Sequence, residues 1–318
     1  MKQILSVNQV SKSFANKIIV DDISFSVNTG EIMGILGPNG AGKTTTIRMI
    51  MGITAPDFGD IEFNLPGKSR NTVFKDISLA FQSIGYLPEE RGLYPNARVI
   101  DILVFLAGLK GVNKKTAREK ALEWLEKFQL SHTLNHKVDT LSKGMAQKIQ
   151  FIASILHEPG LLILDEPFSG LDPVSQDIFK TEITQLAEQG TAILLSSHQM
   201  NLLEEVCHRI FLINNGKKVL YGDLMDIKKN YGGFQVKLRV QDLDNKIDTR
   251  PFKKVIDSPF VETFSRENGT LLLNLERQVT PTEFLTSIHM DTPIEELTIQ
   301  RISLHDIFIK IARGSDLD

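Results

Sequence analysis

The sequence predicts an α/β protein with a large domain over residues 1–225 and a small α+β domain over 226–318. A buried strand runs into a glycine-rich loop and then a helical stretch in "EIMGILGPNGAGKTTTIRMIMGI" (31–53). Two short apolar runs, "GLLILDEP" (160–167) and "TAILLSSH" (191–198), enclose an amphipathic stretch. That order is typical of parallel strands joined by a helix. Towards the carboxyl end, strand-like alternation predominates, which indicates a separate domain.

Composition narrows the functional class. The chain has 318 residues, 42% hydrophobic and 24% charged, as expected for an ordinary soluble protein. A net charge of −3 gives no basic excess, so no nucleic-acid partner is expected. The single cysteine, Cys207, excludes an intramolecular disulfide and favours a reducing, cytosolic setting. The longest apolar runs, such as 102–109, are shorter than the roughly 20 residues that span a bilayer, so any membrane role is expected to need a partner.

The remaining elements follow from hydrophobic periodicity. Residues 1–30 alternate apolar and polar side chains, which predicts short strands joined by turns. Helical periodicity dominates from about 92 to 157, and we interpret this region as a helical insert. "RIFLINNGKKVLYG" (209–222) predicts a hairpin around Asn-Gly. In the small domain, three strand-like runs and helix starts at Thr280 and Ser303 suggest the order β-α-β-β-α-β.

The glycine-rich loop has the spacing of a phosphate-binding loop. "GPNGAGKTT" matches G-x-x-x-x-G-K-[ST] and lies between a predicted strand and a predicted helix. Glycines let successive backbone N–H groups surround an anion, the lysine reaches the terminal phosphates, and the first threonine binds Mg²⁺. The expected nucleotide-binding residues are Gly37, Pro38, Asn39, Gly40, Ala41, Gly42, Lys43, Thr44 and Thr45, with Thr44 also a metal ligand.

The strand "LLILDEP" ends in two adjacent carboxylates. Asp165 is placed to hold the Mg²⁺ shell, and Glu166 is the candidate base that polarises the attacking water. This pair implies hydrolysis of the nucleotide rather than phosphate transfer to a substrate hydroxyl. An ordinary strand end and turn is the alternative interpretation of Asp-Glu-Pro on its own.

A second anion-binding turn, "LSKGMAQKI" (141–149), lies about a hundred residues after the phosphate loop. Ser142 is a good N-cap, and the N–H groups of Lys143 and Gly144 would lie at a helix N-terminus, which favours anions. A plain capped helix is the alternative interpretation.

These motifs together resemble the ATP-binding-cassette family over residues 1–225. "GPNGAGKTT" corresponds to its Walker A loop and "LLILDEP" to its Walker B strand. Five further elements stand in the family's order, and they are the adenine-stacking aromatic Phe14, the Q-loop at "IGYLPE" (84–89), the signature "LSKGM" (141–145), the D-loop "SGLDP" (169–173) with Asp172, and the switch histidine His198.

The resemblance implies an ATPase that binds ATP and Mg²⁺ between two cassettes arranged head to tail. Ser142, Lys143 and Gly144 of one copy would then serve the ATP held by the other copy, in a homodimer or in a heterodimer with a related cassette. Glu166 and His198 would be the catalytic residues. Glu89 replaces the usual glutamine, so its metal-side role is an expectation from position, with a solvated surface acid as the alternative.

Among such proteins, the ATP-binding subunits of bacterial ABC-2-type exporters, of the sodium-extrusion and antibiotic-resistance kinds, are the nearest resemblance. It implies a separate transmembrane permease, docked around 86–109, and a peripheral location at the cytoplasmic face of the cell membrane. Two alternatives remain at this stage: a non-transport cassette acting on ribosomes or DNA, and a kinase or non-hydrolysing module with a phosphate loop.

Overall fold

The structure, a computed structural model, describes residues 2–65, 72–73, 81–90, 92–240, 256–267, 270–287 and 294–312. The chain forms two compact units, Met1–Asp223 and Leu224–Asp318, and each is described by itself. Across the described ranges, no helix is long and apolar enough to span a bilayer.

The first unit contains ten strands and six longer helices among its described residues. The strands are β1 (Gln3–Phe14), β2 (Lys17–Asn28), β3 (Ile32–Leu36), β4 (Phe58–Phe63), β5 (Thr72–Val73), β6 (Ile84–Leu87), β7 (Leu161–Asp165), β8 (Ala192–Ser197), β9 (Arg209–Asn214) and β10 (Lys217–Asp223). The helices are α1 (Lys43–Ile50), α2 (Val99–Leu109), α3 (Lys114–Lys127), α4 (Lys143–Ile155), α5 (Pro173–Glu188) and α6 (Met200–Val206). Mixed strands and helices in this order confirm the predicted α/β class.

A six-stranded sheet positions the site. Its order is β10-β9-β3-β8-β7-β6, and the five strands from β9 to β6 run parallel. The carboxyl ends of β3, β7 and β8 therefore lie at one edge, with Leu36 beside Ser197 and Asp165 beside Ser196. The loops that leave these three strands must meet there, as expected for ligand sites in parallel sheets.

The first thirty residues correct one prediction. They form two strands of 12 residues each, in an antiparallel hairpin, instead of several short strands. The pairing shifts register at four places along β1, and Gln9 has a positive φ of 49°. Each bulge inserts a residue and interrupts the period-2 alternation, which makes one long strand look like several short ones. The predicted Asn-Gly hairpin is confirmed, with Asn215 and Gly216 at φ 48° and 77°.

The helices α2, α3 and α4 all lie between residues 99 and 155, within the stretch predicted to be helical. A cluster of aromatic rings joins two of them to α5. Phe128 follows α3, and its ring lies 5.7 Å from that of Phe151 on α4 and 5.4 Å from that of Phe179 on α5. All three are fully buried, so this ring cluster packs α4 against α5 and the end of α3.

The second unit has a four-stranded antiparallel sheet in the order β12-β13-β11-β14. Its elements are α7 (Leu224–Tyr231), β11 (Phe234–Val240), β12 (Val261–Glu267), β13 (Thr270–Leu275), α8 (Pro281–Ser287), β14 (Ile294–Arg301) and α9 (Leu304–Ala312). Phe284 of α8 packs on the apolar sheet face that includes Val236 and Leu273. The first helix of the predicted β-α-β-β-α-β order falls on residues 241–255, outside the described residues.

Candidate functional site

The phosphate loop turns sharply between β3 and α1. A Cβ on Gly37 would lie 2.2 Å from the carbonyl oxygen of Ile213, and Gly42 has a φ of 111°, so both positions require glycine. Lys43 is buried, and its Nζ donates hydrogen bonds to the carbonyls of Gly37 at 2.9 Å and Pro38 at 3.3 Å. Its ammonium group therefore bends back over its own loop.

The other residues of the predicted phosphate loop differ in their exposure to solvent. Ala41 is buried, whereas Thr44 and Thr45 in the first turn of α1 are partly exposed. Pro38, Asn39 and Gly40 are exposed. The outer side of the loop is thus open to an incoming anion, and the helix N-terminus lies behind it.

Asp165 and Glu166 leave the end of β7 as predicted and are both buried. Glu166 has a positive φ of 50°, which is uncommon for a residue with a side chain and typical of functional sites. Its Oε1 lies 3.8 Å from Nζ of Lys43. The structure therefore brings the candidate base and the phosphate-loop lysine together.

Ser197 at the end of β8 and His198 directly after it hold the carboxylate of Glu166. Ser197 Oγ donates to Oε2 at 3.0 Å. The backbone N–H of His198 donates to Oε1 at 2.9 Å, and Nδ1 of the His198 ring lies 2.9 Å from the same oxygen. The imidazole is about half exposed, so one edge faces the carboxylate and the other is open. Sequence reasoning found His198 but not the supporting role of Ser197.

The residues predicted to hold Mg²⁺ fit a hard cation. Asp165 Oδ1 accepts a hydrogen bond from Ser196, but Oδ2 is buried and has no hydrogen-bond partner. Burial raises the pKa of Asp165 above its usual value, and the nearby carboxylates of Glu89 and Glu166 raise it further. A buried carboxylate oxygen without a donor needs a cation to offset its desolvation, and oxygen ligands are those that Mg²⁺ prefers.

Glu89 follows β6 and is exposed. Its negative charge is one of the causes that raise the pKa of Asp165. The neighbouring Glu90 lies 3.9 Å from Arg48 of α1. No described contact ties the Glu89 carboxylate itself to the phosphate loop.

Phe14 lies at the end of β1, and its ring is 49% exposed. Lys12 Nζ is 5.4 Å from the ring centroid, on a side chain that also pairs with Asp57 at 2.7 Å. An exposed aromatic face beside a cation is suited to stacking on a planar base.

The signature turn lies apart from this cluster. Ser142 caps α4, with Oγ accepting from Met145 N at 3.2 Å, and its hydrogen bonds among the described residues go only to its own helix. A Cβ on Gly170 would lie 2.9 Å from Cδ of Lys143, so the lysine stem covers that glycine. Gly144 packs on the carbonyl of Gly170 as well. The turn is therefore seated on the D-loop and not on the phosphate loop.

Asp172 caps α5 in the same way. Its carboxylate accepts from Ser175 N at 3.0 Å and from Ser175 Oγ at 2.6 Å. The hydroxyl of Ser175 is the main cause that lowers the pKa of Asp172, followed by the backbone N–H. Its side chain is therefore already engaged as the N-cap of α5, and this capping stabilises the D-loop.

Two buried glutamines that sequence reasoning missed face the same strand ends. Gln147 Nε2 donates to the carbonyl of Pro167 at 3.1 Å, and Gln150 Nε2 donates to the carbonyl of Glu90 at 3.3 Å. Both lie on α4, on the polar side of its apolar pattern. Their spacing along the predicted helix was the only feature of the sequence that placed the two glutamines on the same side of α4.

A phosphate-binding loop beside two strand-end carboxylates, one of them the candidate base Glu166, is the arrangement of a nucleotide hydrolase of the phosphate-loop class. Comparisons with known proteins narrow this class. The family described as "ABC transporter" matches residues 20–169, and the family described as "ATP-binding protein DrrA1-3-like, C-terminal domain" matches residues 222–312.

Similar proteins cover most of the chain. "Uncharacterized ABC transporter ATP-binding protein YhaQ" of Bacillus subtilis (strain 168) is 38% identical over 311 residues, 96% of this chain and 98% of the relative. "Linearmycin resistance ATP-binding protein LnrL" of the same organism is 36% identical over 230 residues, 72% of each chain. The solved "Structure of ATP binding subunit of ABC transporter" matches with a TM-score of 0.66 and 30% identity, covering 72% of this chain and 93% of that one.

The chain belongs to the ATP-binding proteins of ABC transporters, and it is an ATP-binding subunit with ATPase activity. The fold and the resemblance to this family predicted from the sequence are thereby confirmed.

Proposed function

We propose that this chain hydrolyses ATP to drive export through a separate membrane permease. The observation that carries the proposal is the contact of Glu166 with Lys43, Ser197 and His198. Three partners fix one carboxylate beside a phosphate loop, as a general base requires. A kinase would need that position for a substrate hydroxyl instead.

In the proposed reaction, backbone N–H groups of residues 39–45 hold the phosphates, and Lys43 turns from the carbonyls of Gly37 and Pro38 to the terminal phosphates. Thr44 and Asp165 would hold Mg²⁺, with Glu89 nearby, and the ion would neutralise charge on the phosphates. Glu166 accepts the proton of the attacking water. His198 orients Glu166, and its open edge is available to the γ-phosphate.

The signature turn supplies the reason for two copies. Ser142, Lys143 and Gly144 expose a capped helix N-terminus, yet they are seated on their own D-loop, away from their own phosphate loop. We infer that this turn binds the γ-phosphate of ATP held by a second copy or by a related cassette. ATP would then join the two surfaces, and hydrolysis would release them.

An apolar surface near the Q-loop suits a permease. Tyr94 and Phe105 pack edge to face at 6.4 Å, and both rings are at least half exposed. Leu109 at the end of α2 is also exposed. Such clustered apolar side chains mark interaction sites. Through this contact the chain would sit at the cytoplasmic face of the cell membrane.

Export, and not import, is proposed from the relatives. One similar protein is named for linearmycin resistance and another, "Nod factor export ATP-binding protein I" of Burkholderia pseudomallei (strain K96243), for export. The solute is set by the permease, because the translocation path lies in that chain.

The pairing of a hydrolysis-blocked variant tests this proposal. Glu166→Gln keeps the shape of the side chain but removes the base, so Mg-ATP should convert single chains to pairs that persist. Light scattering with and without saturating Mg-ATP measures the change. Glu188→Gln, an exposed acid on α5, is the matched control and should not pair persistently. A Glu166→Gln variant that stays single, even with its permease present, would contradict the proposal.

A further inference from the structure

Helix α4 is hydrogen-bonded to two loops of the candidate nucleotide site. Gln147 and Gln150 are three residues apart, so their side chains lie on neighbouring parts of one helix face. Their exposed fractions are 8% and 5%. A buried amide that lost its partner would carry an uncompensated desolvation penalty, so these two hydrogen bonds are not interchangeable with water.

The two acceptors belong to different functional loops. Gln147 donates to the carbonyl of Pro167, the residue directly after Glu166. Gln150 donates to the carbonyl of Glu90, the residue directly after Glu89. These loops leave β7 and β6, which are adjacent parallel strands. Helix α4 is therefore hydrogen-bonded to the main chain of both loops.

The same helix begins with the signature turn. Ser142 is its N-cap, and the stem of Lys143 lies over Gly170 in the loop that continues from Pro167. α4 is one continuous helix of 13 residues, about 20 Å long, so its first turn is joined to Gln147 and Gln150 by unbroken helical hydrogen bonding. A shift of either loop against β6 or β7 must then displace the turn at the start of α4, some two turns away.

We propose that Gln147 and Gln150 are positioning residues that transmit the state of a chain's own ATP site to the signature turn it lends to a second copy. This inference rests on the proposed function, because it needs the turn to serve another chain's ATP. Neither glutamine is among the residues proposed to hold the nucleotide. Each holds a loop carbonyl, and together they set where Ser142 stands relative to Glu166 of the same chain.

The test separates binding from pairing in the full chain with Glu166→Gln as the background. Gln147→Met and Gln150→Met keep the side-chain length and remove the donor. Gln189→Met is the matched control, because Gln189 is exposed at the end of α5 and makes no side-chain hydrogen bond among the described residues. Dilute single chains give the Kd for Mg-ATP, and light scattering gives the chain concentration for half-maximal pairing.

We expect each Met variant to keep the Kd for Mg-ATP within about twofold of the background, and to need about five- to tenfold more chain for half-maximal pairing, equivalent to roughly 1 kcal/mol. Gln150→Glu also lacks the donor and should show at least the same shift, which guards against a folding defect peculiar to methionine.

Two results would overturn the inference alone: pairing equal to that of Gln189→Met, or loss of Mg-ATP affinity in step with pairing, which would indicate a purely structural role. Failure of the background itself to pair would overturn the proposed function as well.

Discussion

The phosphate-loop cluster and the signature turn are both anion sites at helix N-termini, yet they are built differently. In the cluster, Lys43 and Glu166 are buried and each has several protein partners. In the turn, Ser142 and Lys143 are exposed, and within the part of the chain that the structure describes Ser142 bonds only to its own helix. The first region is pre-organised within one chain. The signature turn packs on the D-loop on one side and is exposed on the other, as expected if it forms half of a site shared by two chains.

This difference indicates which step, hydrolysis or association, a substitution in each region should affect. Substitutions in the cluster should impair hydrolysis within one chain, whereas substitutions in the turn should impair association of two chains.

Glu166→Gln should lower kcat by about a hundredfold or more, because a general base contributes roughly 10²–10⁴ to the rate. Steady-state phosphate release measures it. The variant should bind Mg-ATP about as tightly as the unmodified chain. Turnover close to that of the exposed-acid control Glu188→Gln would show that the base is another group, and the cluster would lose its assigned role.

Acid should destabilise the sheet that carries both regions. His157 lies behind β6, with Nε2 3.2 Å from the carbonyl of Ile84, and burial lowers its pKa from 6.5 to about 4. The unfolded chain binds a proton near pH 6.5 and the folded one only near pH 4. Stability from this residue is therefore present above pH 6.5 and is lost as pH falls towards 4.

The loss amounts to about 2 kcal/mol at pH 5, roughly a thirtyfold change in the unfolding equilibrium. Denaturant unfolding at pH 7.5 and pH 5 measures it. His157→Gln should reduce the difference between the two pH values, and His132→Gln, at an exposed position, should not. Equal acid sensitivity of both variants would assign the effect elsewhere.

Ser142→Ala should weaken ATP-dependent pairing by about five- to tenfold, since loss of an N-cap costs about 1 kcal/mol and removes a hydroxyl from the phosphate-facing turn. Asn113→Ala removes a comparable cap, because Asn113 accepts from Thr116 N at the start of α3. This control should lose similar helix stability and keep its pairing. Equal pairing by both variants would reduce the turn to a plain capped helix.

Lys143→Ala should have the smallest effect, about two- to threefold on pairing. Its stem covers Gly170, whereas its exposed charge is screened by salt. The comparison with Lys115→Ala, an exposed lysine on α3, isolates the contribution of the position. A tenfold loss that grows at low ionic strength would instead indicate a direct contact between the ammonium group and a phosphate.

Predictions from the sequence succeeded for features that a few consecutive residues determine. The phosphate loop, the Asp165-Glu166 strand end and the Ser142 cap depend on local backbone geometry, and local geometry follows from residue type and spacing. The hydrolase class and the α/β fold followed from them.

These predictions failed where distant segments meet. The bulges in β1 hid a long strand, and nothing near Gln147 or Gln150 in the chain announces the carbonyls of Pro167 and Glu90. The contact of the Lys143 stem with Gly170, a glycine 27 positions later, is of the same kind. Such contacts are set by packing of α4 on the sheet, which no short motif encodes.

Mixing two inactive variants tests the composite site most directly. Lys43→Ala disables the phosphate loop, and Ser142→Glu places a carboxylate where the turn would meet a phosphate. A mixed pair contains one site with an intact loop from one chain and an intact turn from the other. The account predicts that equal amounts of the two variants together recover up to about a quarter of the unmodified ATPase activity, because about half of random pairs are mixed and each has one complete site. Activity no greater than the sum of the two variants measured separately would contradict it.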